Sequence, residues 1–204
     1  MSPTIDFYFS IDSRYSYLAA TQIPALEREF SATVRWRPLA LSALLAARGA
    51  TPFADKPVSG QYERDYRDID TGRWADFYGV KIVSPDWDKG DWTRINLAAV
   101  SAAHLGCCPA FVTALYDAVM VRNAIPGNDA AIARIADKAG LDGAKIVAGI
   151  DAPATERLHR ETVEEARRAG VFGVPSFVTD GQMFWGNDRI VLLKHWLSQR
   201  KRGG

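Results

Sequence analysis

The sequence predicts an α/β protein: a small sheet assembled from both chain ends, with a large all-helical segment inserted between its halves. Three observations predict it. The first forty residues read strand, helix, strand. Residues 60–168 carry helical spacing and no strand pattern. Strand character returns only after that, in two short runs around Asp180-Gly181. The expected division is 1–59 with 169–204 for the sheet domain and 60–168 for an inserted helical subdomain.

Each element follows from local pattern. "TIDFYFSI" is a β-rich run suited to a buried strand. "SYLAATQIPALEREF" sets Leu18, Ile23, Leu26 and Phe30 at helical spacing, and Pro24 inside it predicts a kink. "ATVRWRPLAL" alternates Val34, Trp36 and Pro38 as a second strand. A strand, helix and strand so close together form a βαβ unit with parallel strands. "GQYERDYRDIDTGRWADFYGV" is a helix ended by Gly79, and "DWTRINLAAVSAAHLG" is another, capped by Asp91. "CPAFVTALYDAVMVRN", "NDAAIARIADKAG", "DGAKIVAGI" and "PATERLHRETVEEARRAG" follow as helices, with Gly or Asn at several boundaries. "VPSFVTDGQMFWG" is two strands around Asp-Gly, a strong hairpin signal. "NDRIVLLKHWLSQR" closes the chain as a helix with apolar Ile190, Leu193, Trp196 and Leu197.

Composition narrows the function classes. The chain has 204 residues, 48% of them apolar, enough for a sizeable core. A net charge of +1 gives no field to recruit nucleic acid or an anionic membrane, and the basic tail "SQRKRGG" reads as a helix end complementing its dipole. No run approaches the roughly 20 apolar residues of a membrane span. "MSPTIDFYF" lacks the basic start of a signal peptide, so a cytoplasmic location is expected. Cys107 and Cys108 are adjacent, a strained arrangement for a disulfide, and packing is their expected role. His104, His159 and His195 show no metal-ligand spacing, so no metal is expected.

Three segments carry candidate chemistry. In "FYFSIDSRYSYLAA", Ser13 and Ser16 stand in an S-x-x-S spacing where the first helix begins. A thioredoxin-type redox site would have C-x-x-C there. Either serine could simply cap the helix. A helix N-terminus also holds anions, and a hydroxyl donating to a thiolate stabilises it further. In "GVFGVPSFV", Pro175 opens a strand. A cis Val174–Pro175 bond would expose the Val174 backbone to an extended peptide-like ligand, and an ordinary trans strand start is the default. In "FWGNDRI", Asn187 or Asp188 could cap the last helix, or hold an amino-acid head group.

Together these segments resemble the 2-hydroxychromene-2-carboxylate isomerases and kappa-class glutathione transferases, DsbA-like members of the thioredoxin superfamily. The resemblance covers nearly the whole chain and is most specific from Phe172 to Arg189. It implies a thioredoxin-like fold and glutathione as cofactor. Ser13 matches the family's catalytic serine, whose hydroxyl holds the glutathione thiolate. Val174 matches the residue before the family's cis-proline, whose backbone pairs with the cysteinyl unit, and Asn187 and Asp188 match the positions that grip the γ-glutamyl end. Two departures stand out. Arg14 replaces a usual proline and is read either as positive charge beside a thiolate or substrate carboxylate, or as a solvated first-turn residue. The family's Asn and Lys before the "GQY" helix fall on Ala50 and Ser59, with Lys56 nearby as a substitute.

The resemblance implies a glutathione-dependent isomerase that converts 2-hydroxychromene-2-carboxylate to trans-o-hydroxybenzylidenepyruvate in naphthalene breakdown. Trp74, Phe77, Tyr78, Trp87 and Trp92 are candidates for stacking on an aromatic substrate, with core packing the default for each. The alternatives are a kappa-like transferase or peroxidase, and a non-catalytic DsbA-like protein that binds a thiol or peptide. A thiol–disulfide oxidoreductase is disfavoured because no cysteine stands at the first helix. A homodimer is compatible with the family, and nothing in the sequence itself shows one.

Overall fold

The computed structural model describes residues 2–47 and 64–202. Strand β1 (Thr4–Phe9) leads into α1 (Arg14–Phe30), β2 (Thr33–Pro38) and a short α2 (Leu41–Ala47). Then come α3 (Arg64–Tyr78), a 3-10 turn at Trp87–Lys89, α4 (Trp92–His104) and α5 (Cys108–Tyr116). After α6 (Asp129–Lys138), α7 (Gly143–Ala148) and α8 (Pro153–Arg168), the chain forms β3 (Ser176–Thr179) and β4 (Gln182–Trp185). A 3-10 turn at Asn187–Arg189 leads into α9 (Ile190–Arg202). None of the described helices is long and apolar enough to cross a membrane.

The sheet order is β2-β1-β3-β4. β1 and β2 are parallel, as the βαβ reading expects, while β1–β3 and β3–β4 are antiparallel. The hairpin turn is Asp180-Gly181, both with positive φ (46° and 76°), which an Asp-Gly pair tolerates well. β1 is central, and its period of two serves both faces. Ile5, Phe7 and Phe9 join a large cluster with Leu18 and Ile23 of α1 and Phe111 and Leu115 of α5. Tyr8, pointing the other way, packs with Leu39, Leu44, Val163, Ala166 and Val171.

The expected cap at Asp91 is present, and Asn128 and Asp142 cap two further helices. Asp91, Asn128 and Asp142 each accept a backbone N–H three residues on, at about 3 Å from the Oδ1. Gly79 ends α3 at φ 67°. α1 runs as one element through Pro24, which is exposed. The predicted helix from Cys108 onward is continuous in position but widens into a π-helical turn at Asp117–Val121. α2 has no counterpart among the predicted elements: "LSALLAA" directly follows a strand and is too short to show a helical period.

His159 of α8 has its ring against α2, where its Nε2 accepts the Ala40 N–H at 3.1 Å. Burial lowers its pKa below the ordinary value of about 6.5. A base depressed in the folded state is protonated more readily in the unfolded chain. Its contribution to stability is therefore complete above about pH 6.5 and is lost as pH falls toward the folded value. Denaturant midpoints measured from pH 7 down to pH 5 should fall in the wild type and fall less in His159→Gln. Parallel curves would contradict this.

Candidate active site

The strand register brings the three candidate segments to one end of the sheet. Tyr8 pairs with Ser176 and Phe9 ends β1, so the Ser10–Ser13 loop leaves beside the start of β3. Ser176 pairs with Trp185, so the chain leaves β4 toward Asn187 at the same end. The Gly186 N–H donates to the Pro175 carbonyl at 2.9 Å, which ties the second segment to the third. α1 packs against the Asn187–Arg189 turn.

Ser13 is the N-cap of α1, with extended backbone (φ −119°, ψ 112°) and an Oγ that accepts the Ser16 N–H at 3.1 Å. Of the two serines it is therefore Ser13 that caps. Accepting through oxygen leaves the O–H hydrogen to donate. The first turn of α1 holds no acidic residue, so the positive end of the helix dipole is not neutralised from within. Ser16 is fully buried, and the phenol of neighbouring Tyr116 is pushed well up by burial first, then by the Asp12 charge.

Arg14 is not solvated. It is buried, pairs with the Asp68 carboxylate of α3, and lies over the Trp87 ring at 5.2 Å. Tyr15 donates to Asp70 at 2.8 Å, and burial together with that bond pushes its phenol up. The first turn of α1 is thus laced to α3 by two side chains, an arrangement that sequence spacing does not reveal.

The Val174–Pro175 bond is cis. Gly173 sits so close to the Trp185 indole that an added Cβ would lie 2.7 Å from its Nε1. Gly186 adopts φ 108°, a conformation side chains rarely take. Asn187 and Asp188 do not cap α9, which corrects that expectation: they lie inside the 3-10 turn ahead of it, whose N-cap position is Gly186. The turn inserts one tight winding between the strand and the helix, so both side chains are set by packing instead. Asn187 is 2% exposed, its Nδ2 has no partner among the described residues, and its carbonyl accepts the Tyr78 hydroxyl at 3.0 Å. Asp188 is partly exposed and pairs with Arg189.

The aromatic candidates divide. Trp74 and Tyr78 are half-buried, their rings in tilted contact at 5.4 Å, whereas Phe77 is 77% exposed. Trp87 and Trp92 contact each other at 5.3 Å, with the Trp92 Nε1 donating to the Trp87 carbonyl at 2.7 Å. Ala50, Lys56 and Ser59 lie outside the described residues. Asn96 of α4, which bonds to the loop before Ser13, was not anticipated. Its one sequence signal is a lone amide on the apolar face of an alanine-rich helix.

Neither cysteine resembles a redox centre. Cys107 and Cys108 are free thiols, and burial raises both, Cys108 the more strongly because it is the more deeply buried, with the Cys107 charge adding to it. At neutral pH a disulfide reagent should label Cys107 slowly and Cys108 only on unfolding. Rapid labelling of Cys108 in the folded protein would contradict this.

A four-stranded mixed sheet with an N-terminal βαβ unit, a C-terminal ββα unit and a cis-proline at the sheet end where the first helix begins defines the thioredoxin class. Residues 4–198 match the family described as a DSBA-like thioredoxin domain. The chain belongs to that family, in the group holding 2-hydroxychromene-2-carboxylate isomerases and a kappa-class glutathione transferase. A 2-hydroxychromene-2-carboxylate isomerase of Sphingobium xenophagum is 32% identical, over 97% of this chain and 99% of that protein. "Glutathione S-transferase kappa 1" of Homo sapiens is 26% identical, over 98% and 93%. A solved 2-hydroxychromene-2-carboxylate isomerase superposes with a TM-score of 0.83 at 26% identity, covering 98% of this chain and 97% of that one.

Proposed function

We propose that the protein is a glutathione-dependent isomerase of 2-hydroxychromene-2-carboxylate or a closely similar aromatic carboxylate. Relatives at 26–32% identity over nearly the full chain bear that name. The observation that carries the reading is Ser13: a hydroxyl at the N-cap of a 17-residue helix whose first turn has no acid, placed at the sheet end that Pro175 and Asn187 share. The naphthalene-breakdown context that the family resemblance implies belongs to the same proposal.

The residues present fit a peptide-like thiol. The buried, unpartnered Asn187 Nδ2 is a donor in want of an acceptor such as a carboxylate. Asp188 offers an anion to an ammonium group, which would share it with Arg189. The Val174 backbone immediately precedes β3 and would pair with the cysteinyl unit. When bound, glutathione supplies a thiolate nucleophile that this chain lacks. Ser13 would donate its hydroxyl hydrogen to that sulfur, and the α1 dipole would favour its negative charge. α3 closes over the first turn through Arg14–Asp68 and Tyr15–Asp70 and brings Trp74 and Tyr78 to the neighbourhood of Asn187. These rings offer an apolar wall for an aromatic substrate.

The purified protein should isomerise 2-hydroxychromene-2-carboxylate with glutathione present in less than stoichiometric amount, leaving the thiol unconsumed. The human relative's name favours a second reading, a transferase, which would consume glutathione one for one. Absence of conversion at any glutathione concentration overturns the isomerase.

A further inference from the structure

The loop Ser10–Asp12, which delivers Ser13 to α1, is held from the helical segment rather than from the sheet. Asn96 of α4 is 2% exposed. Its Oδ1 accepts the Ile11 N–H at 2.7 Å. Its Nδ2 donates to Asp12 Oδ1 at 2.9 Å and to the Trp92 carbonyl at 2.8 Å. Tyr116 of α5 adds a bond to the Ser10 carbonyl at 2.9 Å.

We propose that Asn96 is a positioning residue: it acts through Ser13, by fixing the loop whose last residue presents the hydroxyl. The claim that Ser13 is the reacting-site hydroxyl rests on the function proposed above. The argument for Asn96 is one of satisfied valence. A buried carboxamide is costly unless its groups are bonded, and here both N–H groups and the oxygen have partners. The Ile11 N–H demands an acceptor, and Asp12 and the Trp92 carbonyl demand donors, so one amide orientation alone satisfies all three. Its neighbours on α4, Ala98, Ala99 and Ala102, are fully buried and apolar, so they offer no side-chain hydrogen-bonding group in its place. A shift of the loop would move Ser13 off the N-cap position and the hydroxyl off its aim. No general stability role requires a bond to each of two successive loop residues.

The test is an exchange of partners. Asn96→Asp keeps the shape and the acceptor for Ile11 but sets a carboxylate against Asp12. The double variant Asp12→Asn/Asn96→Asp restores a donor–acceptor pair with the roles reversed. Hydrogen exchange of the amides of residues 10–16 is read beside kcat and KM. In Asn96→Asp, exchange in this loop should rise while β1 and the rest of α4 stay protected. Turnover should fall by about 10²-fold, the scale of a misplaced reacting group, with a smaller change in KM. The double variant should recover part of both. Should Asn96→Asp not fold, Asp12→Ala removes one partner at a half-buried position and should release the same loop to a lesser degree. Unchanged loop exchange, or a double variant no better than the single, overturns the proposal. The exchange readout involves no glutathione, so if the wild type fails to use that thiol, it is the functional reading that fails, and Asn96 is still decided.

Discussion

Ser13→Ala should lower isomerase turnover by about 10²–10³-fold, the usual consequence of removing one hydrogen-bond donor aimed at developing or resident negative charge. The hydroxyl has two jobs, and two substitutions separate them. As a cap it accepts the Ser16 N–H, and its loss to alanine should cost about 1 kcal/mol of stability, against a few tenths for glycine. As a donor it is lost equally in both. Ser13→Ala and Ser13→Gly should therefore show similar turnover and different thermal midpoints. Activity that tracks stability across the two would mean that Ser13 serves the helix alone.

Phe7→Ala should destabilise the fold by about 3–5 kcal/mol, the range for truncating a buried aromatic. Phe7 is fully buried on the central strand. Its ring stacks on Phe9 at 4.9 Å and Phe177 at 5.0 Å and meets the edge of Trp36 at 5.3 Å. It thereby touches both neighbouring strands, and the cavity left behind is bounded by rings that cannot collapse into it without leaving the sheet register. Against a total stability of about 5–15 kcal/mol for an ordinary domain, this loss is large. Equilibrium unfolding in urea should show a lower midpoint. A change below about 1 kcal/mol would show that the stack is not a principal element of the core.

The order of elements was legible because the determinants are local. Asp91 announces its helix, Asn128 marks a helix boundary, and Asp180-Gly181 announces its turn. The cis Val174–Pro175 bond is the one the family resemblance implies, although nothing local distinguishes it from a trans strand start. What escaped depends on distant partners. Arg14 reads equally as solvated or functional until α3 places Asp68 against it, 54 residues away. Asn96 bonds to a loop 85 residues earlier. The cap expectation for Asn187 and Asp188 failed because a 3-10 turn and a helix start carry the same residue signals, while the positive φ of Gly186 sets the turn.

The central claim is that Ser13 and the α1 N-terminus stabilise a bound thiolate. The direct measurement is the ultraviolet absorbance of the glutathione thiolate in complex with the protein, titrated with pH for wild type and Ser13→Ala. Hydrogen-bond donation and the helix dipole both favour the anion, so ionisation in the wild-type complex should occur at lower pH than in free glutathione. In Ser13→Ala it should return most of the way. Ionisation of the bound thiol at the same pH as the free one, in the wild type, would contradict the account.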